Sequence, residues 1–364
     1  MTDEYRASGV DYDLLDAAKR DAIAAAAGTW VLPGPMGVEM LGASRGQPAV
    51  VWSLQGRHFA MVLECLGTKS ALAREYQELT GKDMFDAVGY DTVAAVVNDM
   101  CSVGALPMVV NAYFATGTPA WYSREGRFAS LVRGWRAACE ASGAAWGGGE
   151  SPMLKGIVAE GEIDLAGCAV GAVPSEQAPL LGGALEPGDE IVMVASSGLH
   201  ANGASLVRRA ADALGGLGTP MPDGRSMGEA LLSPSLVYVG LLKEIYARGL
   251  VPTYASHITG HGLRKVMRAD RDLTYRLHSL LEVPVSLQFV VDALSLPARD
   301  AYGTFNMGNG FAVFCRPGDG PGVVEAAGAA GYVAGLCGAV EAGPRQVVLE
   351  AQDLVFSDED LQLS

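Results

Sequence analysis

Two acidic side chains and an amide recur along one apolar segment, and their spacing could hold a metal ion. In DTVAAVVNDMCSVGA, Asn98 and Asp99 follow Asp91 by seven and eight residues, so a helix would place all three near one face. The neighbouring residues are mostly Val, Ala and Met. Two buried carboxylates cost free energy unless they are neutralised, and Mg²⁺ prefers carboxylate oxygens. The alternatives are that Asp91 is only the N-cap of the helix and that Asp99 forms a salt bridge.

Further charged groups lie at the ends of two other segments. In MVLECLGTKS, Glu64 ends a predicted strand, Gly67 and Thr68 form a turn, and Lys69 comes five residues after the acid. Glu150 ends the run WGGGE, whose glycines allow a sharp turn beside a ligand, although a plain loop is the simpler interpretation. These groups form one site only if the fold brings them to the same place.

Two glycine-rich turns carry histidines that could bind phosphate. SSGLHANG lies between a predicted strand and a predicted helix, and the backbone N–H groups at such a helix start suit a phosphate. His200 could add a hydrogen bond or a charge there. HITGHG repeats the pattern, with His257 and His261 four residues apart. A zinc site is disfavoured because Gly260 interrupts this pair and no third ligand is evident.

Strands and helices alternate in both halves of the chain, which is typical of two α/β or α+β domains. We therefore predict an α/β domain over residues 1–174 and an α+β domain over 175–364. A single doubly wound sheet fits less well, because no GxGxxG motif follows a strand. The predicted elements are a hairpin over 49–65, helices over 91–105, 124–143, 202–214, 234–249, 260–270 and 321–331, and strands over 106–117, 161–173, 310–317, 332–340 and 345–351. In the segment 185–198, the turn residues 187–189 come before a further apolar strand, where the second domain is predicted to begin.

Composition excludes several classes of function. The chain has 364 residues and a net charge of −15, which disfavours sequence-independent binding to nucleic acid or binding to an anionic membrane. No apolar run approaches the ~18 residues of a membrane span, and the polar, acidic N-terminus is not a signal peptide. The 6 cysteines are widely spaced without a CxxC pair, which indicates buried thiols in a reducing compartment. We therefore expect a cytoplasmic protein that contacts neither nucleic acid nor a membrane.

The order of the motifs resembles a known family from end to end. The motifs are YRASGVDYD, LECLGTK, GYDTVAAVVNDMCSVGALPMVVNAYFATG, GGGES, DLAGCAVGAV, GDEIVMVASSGLHANGASLVRR, LLSPSLVYV, HITGHG and TFNMGNG. They are similar to those of the aminoimidazole ribonucleotide synthetase (phosphoribosylformylglycinamidine cyclo-ligase) family. The wider superfamily includes selenophosphate synthetase, a hydrogenase maturation protein and thiamine-monophosphate kinase. SSGLHANGASLVRR, LLSPSLVYV and TFNMGNG point to the cyclo-ligase branch.

This resemblance implies an ATP- and Mg²⁺-dependent ring closure in purine biosynthesis. ATP would phosphorylate the formyl amide oxygen of formylglycinamidine ribonucleotide, and a substrate nitrogen would then displace phosphate to give 5-aminoimidazole ribonucleotide. It also implies a two-domain fold and a homodimer, with the N-terminal domain forming a β-barrel at the interface. The alternatives are a paralogous enzyme that activates the amide of a different small molecule, and a non-catalytic nucleotide-binding subunit.

The resemblance also implies roles for individual residues. Lys69 would neutralise the transferring phosphate, and Asp99 and His200 would complete the catalytic set. The implied metal ligands are Asp99, Asp91, Glu64 and Glu150. The implied nucleotide- and phosphate-binding residues are Glu64, Gly67, Thr68, Asp91, Asn98, Glu150, Ser197, Gly198, Asn202, His257, Thr259 and Gly260.

The chain departs from the family pattern around the expected ligands. Typical members read TDGVGTK where this chain reads LECLGTK, so Glu64 replaces an aspartate and Cys65 replaces a glycine. PGPMGVEML, residues 33–41, stands where the family has a glycine-rich loop over the nucleotide. Asn309 replaces a valine and His261 a glycine. These changes are typical of a paralogue with a modified substrate, whereas the breadth of the match favours the cyclo-ligase itself. We expect Cys65 to be a packing residue.

Overall fold

The computed structural model describes residues 12–123 and 126–361. The N-terminal half forms a six-stranded sheet in the order β1-β2-β3-β6-β4-β5. Its strands are β1 (Val38–Met40), β2 (Val50–Leu54), β3 (Arg57–Cys65), β4 (Leu106–Thr116), β5 (Ala145–Glu150) and β6 (Ile163–Ala172). Only β4 and β5 run parallel, because a helical segment connects them, whereas the remaining pairs are antiparallel.

Helix α3 is the central element of the molecule. The helices of the N-terminal half are α1 (Tyr12–Ala27), α2 (Lys69–Thr80), α3 (Phe85–Ser102), α4 (Ala120–Ser123) and α5 (Arg127–Ser142). α3 is buried along almost its whole length and packs against α5, the first sheet and a strand of the C-terminal half. The close crossing with α5 requires glycine, since a Cβ at Gly134 would lie 1.7 Å from the carbonyl oxygen of Asp86.

The C-terminal half forms a seven-stranded sheet. Its strands are β7 (Glu190–Ala195), β8 (Tyr254–His257), β9 (Leu273–Leu277), β10 (Asn309–Cys315), β11 (Ala334–Ala342), β12 (Gln346–Leu349) and β13 (Leu354–Ser357). They lie in the order β13-β12-β9-β11-β7-β10-β8. Its helices are α6 (Ala204–Leu214), α7 (Met227–Leu231), α8 (Val239–Ala247), α9 (Val285–Ala293), α10 (Ala298–Thr304), α11 (Gly320–Ala329) and α12 (Asp358–Leu361). One buried apolar cluster includes residues of both halves, and a second covers the other face of this sheet.

Several predicted elements are confirmed, and others are corrected. The hairpin turns at Gln55 and Gly56, whose φ angles of 53° and 75° are both left-handed, as a type I′ turn requires. The helix predicted over 91–105 begins at Phe85, so the interpretation of Asp91 as its N-cap is wrong. The helix predicted over 234–249 begins only at Val239, and the one predicted over 124–143 begins at Arg127.

Two glycine-rich segments differ more strongly from expectation. Residues 147–149 do not turn but continue β5. Glycine is needed there because the two strands approach closely, and a Cβ at Gly149 would lie 2.0 Å from the carbonyl oxygen of Ala112 on β4. Residues Gly262–Met267 form a short 3₁₀ helix rather than an α-helix over 260–270. No helix in the described ranges is long and apolar enough to cross a membrane.

Candidate active site

Asn98 attaches α3 to a loop of the C-terminal half. Its amide nitrogen donates to the carbonyl oxygen of Leu236 at 2.8 Å, and its side-chain oxygen accepts from the backbone N–H of Tyr238 at 2.8 Å. The side chain is 1% exposed. Asn98 therefore fixes the loop before α8 relative to α3, and both ends of its amide bind protein backbone.

Lys69 and Asp91 form an ion pair in which both side chains are fully buried. The Lys69 ammonium also donates to the carbonyl oxygen of His200 at 2.8 Å, and Asp91 Oδ1 accepts from the backbone N–H of Ser235 at 2.7 Å. A buried pair is tolerated when such additional hydrogen bonds satisfy its remaining groups. The pair ties the start of α2 and the middle of α3 to two loops of the C-terminal half.

Asp99, the residue after Asn98 in α3, lies against His257 and Glu64, which are both distant from it in sequence. His257, at the end of β8, contacts Asp99 Oδ1 through Nδ1 at 2.7 Å. Burial opposes ionisation of Asp99, but the hydrogen bond and charge of His257 and the nearby basic side chains outweigh it and lower its pKa to about 2. The carboxylate can only accept, so the hydrogen of the histidine is on Nδ1.

Glu64 is the second carboxyl group at this point. Burial, followed by the charge of Asp99 and a hydrogen bond between the two carboxyl groups, raises the pKa of Glu64 to about 8. At neutral pH the pair therefore holds one negative charge and one proton. A cation that replaced this proton would let both groups ionise, so the pair suits Mg²⁺.

Lys265 and Arg268 place positive charge beside this carboxyl pair. Burial, followed by the charge of Arg268, lowers the pKa of Lys265 to about 8, although the charges of Asp99 and Glu64 oppose this shift. The Lys265 ammonium donates to the hydroxyl of Thr259. The sequence prediction did not include these two residues. The available signal was the basic cluster in GLRKVMR, which follows HITGHG in a chain that is otherwise strongly acidic.

The loop over residues 196–203 is held rigid around His200. The Nε2 atom of His200 accepts from the backbone N–H of Ser197 at 3.1 Å, and the Ser197 hydroxyl donates to the carbonyl oxygen of Pro234 at 2.7 Å. Asn306 donates to the carbonyl oxygen of Gly198, whose φ of 144° requires glycine. Burial, followed by the charges of other basic groups, holds the pKa of His200 well below its usual value. The histidine is therefore neutral.

The Nδ1 atom of His200 is a buried donor without a partner among the described residues. Because Nε2 accepts a hydrogen bond, the hydrogen of this neutral ring is on Nδ1. An unsatisfied buried donor costs roughly 1–3 kcal/mol, which a ligand oxygen would recover. This feature fits a phosphate-bearing ligand at the loop.

Several of the other predicted site residues are exposed. Glu150 is exposed on the edge strand β5, three strand spacings or about 14 Å from Glu64 across the sheet. Gly67, Thr68 and Asn202 are also exposed. In the parts of the chain that the structure describes, no three acidic, histidine or cysteine side chains are grouped to hold a metal ion. The roles assigned to individual residues remain predictions.

Asn202 and Gly260 are close to each other, because a Cβ at Gly260 would lie 3.3 Å from the side-chain oxygen of Asn202. The glycine turn after β8 thus faces the loop over residues 196–203. Cys65 is exposed rather than packed in the core, which corrects the expectation for this residue. Partial desolvation of the thiol by the surrounding protein atoms, followed by the charge of Glu64, raises the pKa of Cys65, so it is not an activated nucleophile.

Comparison with known proteins identifies the family of this chain. The family models of AIR synthase related protein match both halves, the N-terminal domain over residues 46–173 and the C-terminal domain over 186–350. A phosphoribosylformylglycinamidine cyclo-ligase of Carboxydothermus hydrogenoformans is 31% identical, covering 95% of this chain and 98% of that protein. Another, of an Anaeromyxobacter species, is 38% identical, covering 73% of this chain and 77% of that protein.

A solved structure supports the fold at lower identity. AaThiL complexed with AMPPCP and TMP superposes with a TM-score of 0.58 at 16% identity, covering 85% of this chain and 89% of that one. The fold, the family models and the relatives together define an enzyme of the ATP-dependent ligase class. The chain belongs to the AIR synthase related family, and the resemblance predicted from its motifs is confirmed.

Proposed function

We propose that this enzyme closes the imidazole ring of 5-aminoimidazole ribonucleotide from formylglycinamidine ribonucleotide, with consumption of ATP. The observation that carries this proposal is the carboxyl pair of Glu64 and Asp99, with Lys265 and the neutral His200 on the C-terminal side of the same junction. Phosphoryl transfer depends on positioning of the reactants and on charge neutralisation more than on covalent catalysis by the protein, and these residues could supply both. The relatives that carry the cyclo-ligase name support the same reaction.

The residues of this chain would act by position and charge. His200 Nδ1–H is available to donate to a phosphate or amide oxygen, and the loop over residues 196–203 fixes its direction. Lys265 would balance the negative charge of the carboxyl pair and of a bound phosphate. Lys69 would hold the loop through the carbonyl oxygen of His200. Mg²⁺, when bound, would neutralise the phosphates of ATP, with Glu64 and Asp99 as its protein ligands.

The test of this function is ADP release by the purified chain with Mg²⁺-ATP, measured with and without formylglycinamidine ribonucleotide. We expect release that depends on the substrate, with aminoimidazole ribonucleotide formed in equal amount. Release that the substrate does not stimulate, combined with ATP binding in a calorimeter, would contradict the cyclo-ligase reaction.

That outcome would support a second function, the activation of a different amide. The replacement of the family's aspartate and glycine by Glu64 and Cys65 favours it, because both changes lie where the carboxyl pair forms. The longer side chain of Glu64 would move the cation or the reacting group. A screen of small amides for stimulated ADP release would identify this activity.

The raised pKa of Glu64 predicts how stability depends on pH. Between its usual pKa of 4.5 and about 8, the folded protein holds a proton that the unfolded chain has released. The free energy of unfolding therefore falls as pH rises through this range. We expect urea unfolding to show this fall between about pH 5 and 7.5 in the wild type and a flatter profile in Glu64→Gln. Added Mg²⁺ should restore stability at the upper end of this range in the wild type only. Parallel profiles would contradict the proposed pair.

We also propose a homodimer that forms through the exposed face of the first sheet. The apolar side chains of this face are Met61, Leu63, Met108 and Val109, which are 37–69% exposed. An exposed apolar area on a sheet is typical of a protein interface. A second copy would extend the sheet packing into the β-barrel that the family resemblance implies. Glu150 pairs with Tyr113 beside this face, so the same association would cover it.

Substitution of Leu63, which is 69% exposed, tests this interface. We expect Leu63→Glu to shift the protein from dimer to monomer in sedimentation experiments, because a charge in an apolar interface is desolvated without a partner. Val251→Glu is the matched control, since Val251 is 55% exposed in the C-terminal half. A wild type that is monomeric at micromolar concentration, or a Leu63→Glu dimer, would contradict the proposal.

The cytoplasmic location remains part of the proposal. All 6 cysteines are free, and 4 of them are buried. Free buried thiols are typical of proteins in a reducing compartment.

A further inference from the structure

The aromatic ring of Tyr238, the residue before α8, packs against both histidines of the candidate site. Its centroid is 6.2 Å from that of His200 and 6.3 Å from that of His257. Both separations are typical of aromatic side chains in contact. His200 belongs to the loop over residues 196–203, whereas His257 contacts Asp99 of the carboxyl pair. A single side chain therefore contacts the two parts of the site.

Three separate contacts hold Tyr238 in place. Its backbone N–H donates to Asn98 Oδ1 on α3 at 2.8 Å, and its hydroxyl donates to the carbonyl oxygen of Ala195, at the end of β7, at 2.8 Å. Its ring also packs on Phe311 of β10, with the centroids 5.1 Å apart. The side chain is fully buried. The ring therefore cannot move without breaking a contact to α3, β7 or β10.

The surrounding backbone is shaped to admit this phenol. A Cβ at Gly310 would lie 1.9 Å from the hydroxyl oxygen of Tyr238, so the close approach requires glycine at that position. Tyr332 packs its ring 5.8 Å from that of Tyr238 and donates to the carbonyl oxygen of Val237. Burial holds the pKa of Tyr238 well above its usual value, so its hydroxyl remains a donor.

The two histidines need such a neighbour, because hydrogen bonds fix each ring at one nitrogen only in the described part of the chain. His200 accepts through Nε2, and His257 contacts Asp99 through Nδ1. A contact at one ring atom leaves the plane of an imidazole free to tilt about that atom. A rigid ring packed against the imidazole removes this freedom, whereas a flexible aliphatic side chain would adapt to the tilt.

We propose that Tyr238 is a positioning residue, whose ring sets the directions of His200 and His257 relative to each other. It contacts no reacting atom and acts only through the two imidazoles. A displacement of about 1 Å in an active site can cost roughly a hundredfold in rate, so loss of this ring should affect turnover more than binding. The inference rests on the proposed function only for the reaction in which the histidines take part.

NMR spectra of protein with ¹⁵N-labelled histidine test the ring positions without any substrate. The chain has 5 histidines, so the variants His200→Gln and His257→Gln are sufficient to assign the two signals. We expect Tyr238→Met to shift the ring signals of both histidines, because methionine fills the space without a rigid face. Tyr238→Phe keeps the ring and should leave both signals close to their wild-type positions.

Tyr275→Met is the matched control for removal of a buried tyrosine ring. Tyr275 is as fully buried as Tyr238, but it belongs to the apolar cluster on the opposite face of the C-terminal sheet, where its ring packs on Phe314. We expect it to lower the thermal midpoint as Tyr238→Met does and to leave the two histidine signals unchanged.

Steady-state kinetics then measure the effect on the reaction. We expect Tyr238→Met to lower kcat for substrate-dependent ADP release by about tenfold or more and to change KM for ATP and for the substrate by less than about threefold. Tyr238→Phe should retain most of the wild-type kcat, and so should Tyr275→Met. This division between kcat and KM is not expected from a general loss of stability.

The proposal is overturned if Tyr238→Met leaves both histidine signals unchanged, or if Tyr275→Met lowers kcat as strongly. It is also overturned if Tyr238→Phe shifts both signals and loses kcat, because the hydroxyl rather than the ring would then position the histidines. This last comparison remains decisive if Tyr238→Met does not fold, since Tyr238→Phe removes only one hydroxyl group. Unchanged signals and kcat in Tyr238→Phe would support the role of the ring.

The spectra separate this inference from the proposed function, because they require no turnover. If the wild type shows no ADP release with formylglycinamidine ribonucleotide, yet Tyr238→Met alone shifts both histidine signals, the positioning role is supported and the cyclo-ligase reaction is contradicted. The kinetic comparison would then be made with whichever amide stimulates ADP release.

Discussion

Substitution of Asp99 by asparagine is expected to abolish substrate-dependent ADP release and leave the fold intact. The variant keeps the shape of the side chain and its contact with His257 at 2.7 Å. It loses the anionic oxygen proposed to bind Mg²⁺. Changes in residues that only support a metal ligand cost roughly 10–100-fold in activity, so loss of a ligand itself should cost more than about a hundredfold.

The fold should survive because Glu64 can take over the negative charge. The charge of Asp99 is one cause of the raised pKa of Glu64, so its removal lets Glu64 ionise beside Lys265 and Arg268. We therefore expect a thermal midpoint close to that of the wild type. Asp212→Asn, on the exposed surface of α6, is the matched control for loss of one carboxylate. Activity within a few-fold of the wild type would show that Asp99 does not serve the metal.

The spacing of Asp91, Asn98 and Asp99 was sufficient to predict that one helix carries all three side chains toward the same buried junction. It was not sufficient to predict their partners. His257 is 158 residues from Asp99, and a contact over that distance depends on how the two halves dock, which no local pattern encodes. The start of the helix was misplaced because its N-cap residue, Met84, has no capping side chain, and the acceptor for the Phe85 N–H is Asp83 Oδ1, one residue earlier.

The structural role of the glycines at residues 147–149 could not be predicted from the sequence either. Glycine is typical of turns, yet here its small size lets β5 approach β4 closely, and only the paired strand reveals this use. Lys265 and Arg268 were missed for a similar reason. Lys265 is buried in the 3₁₀ segment and Arg268 directly follows this segment, so both lie beside acids from the other half, whereas their local sequence resembles an ordinary basic surface turn.

Replacement of Lys69 by methionine is expected to reduce both stability and activity. The side chains of Lys69 and Asp91 are fully buried, and methionine would leave Asp91 as an unpaired buried charge. Removing one member of a buried pair costs about 3–5 kcal/mol. The change also removes the hydrogen bond to the carbonyl oxygen of His200, which holds the loop of the candidate site. Urea unfolding and ADP release measure the two effects.

The double variant Lys69→Met/Asp91→Asn separates these two effects. Its buried pair is neutral, and the introduced asparagine can still accept from the backbone N–H of Ser235 through its side-chain oxygen, so most of the lost stability should return. ADP release should remain low, because neither the ammonium nor its contact with the loop of His200 is restored. If activity returned together with stability, the contribution of Lys69 would lie in the folding of the junction alone, and the catalytic role predicted for it would be wrong.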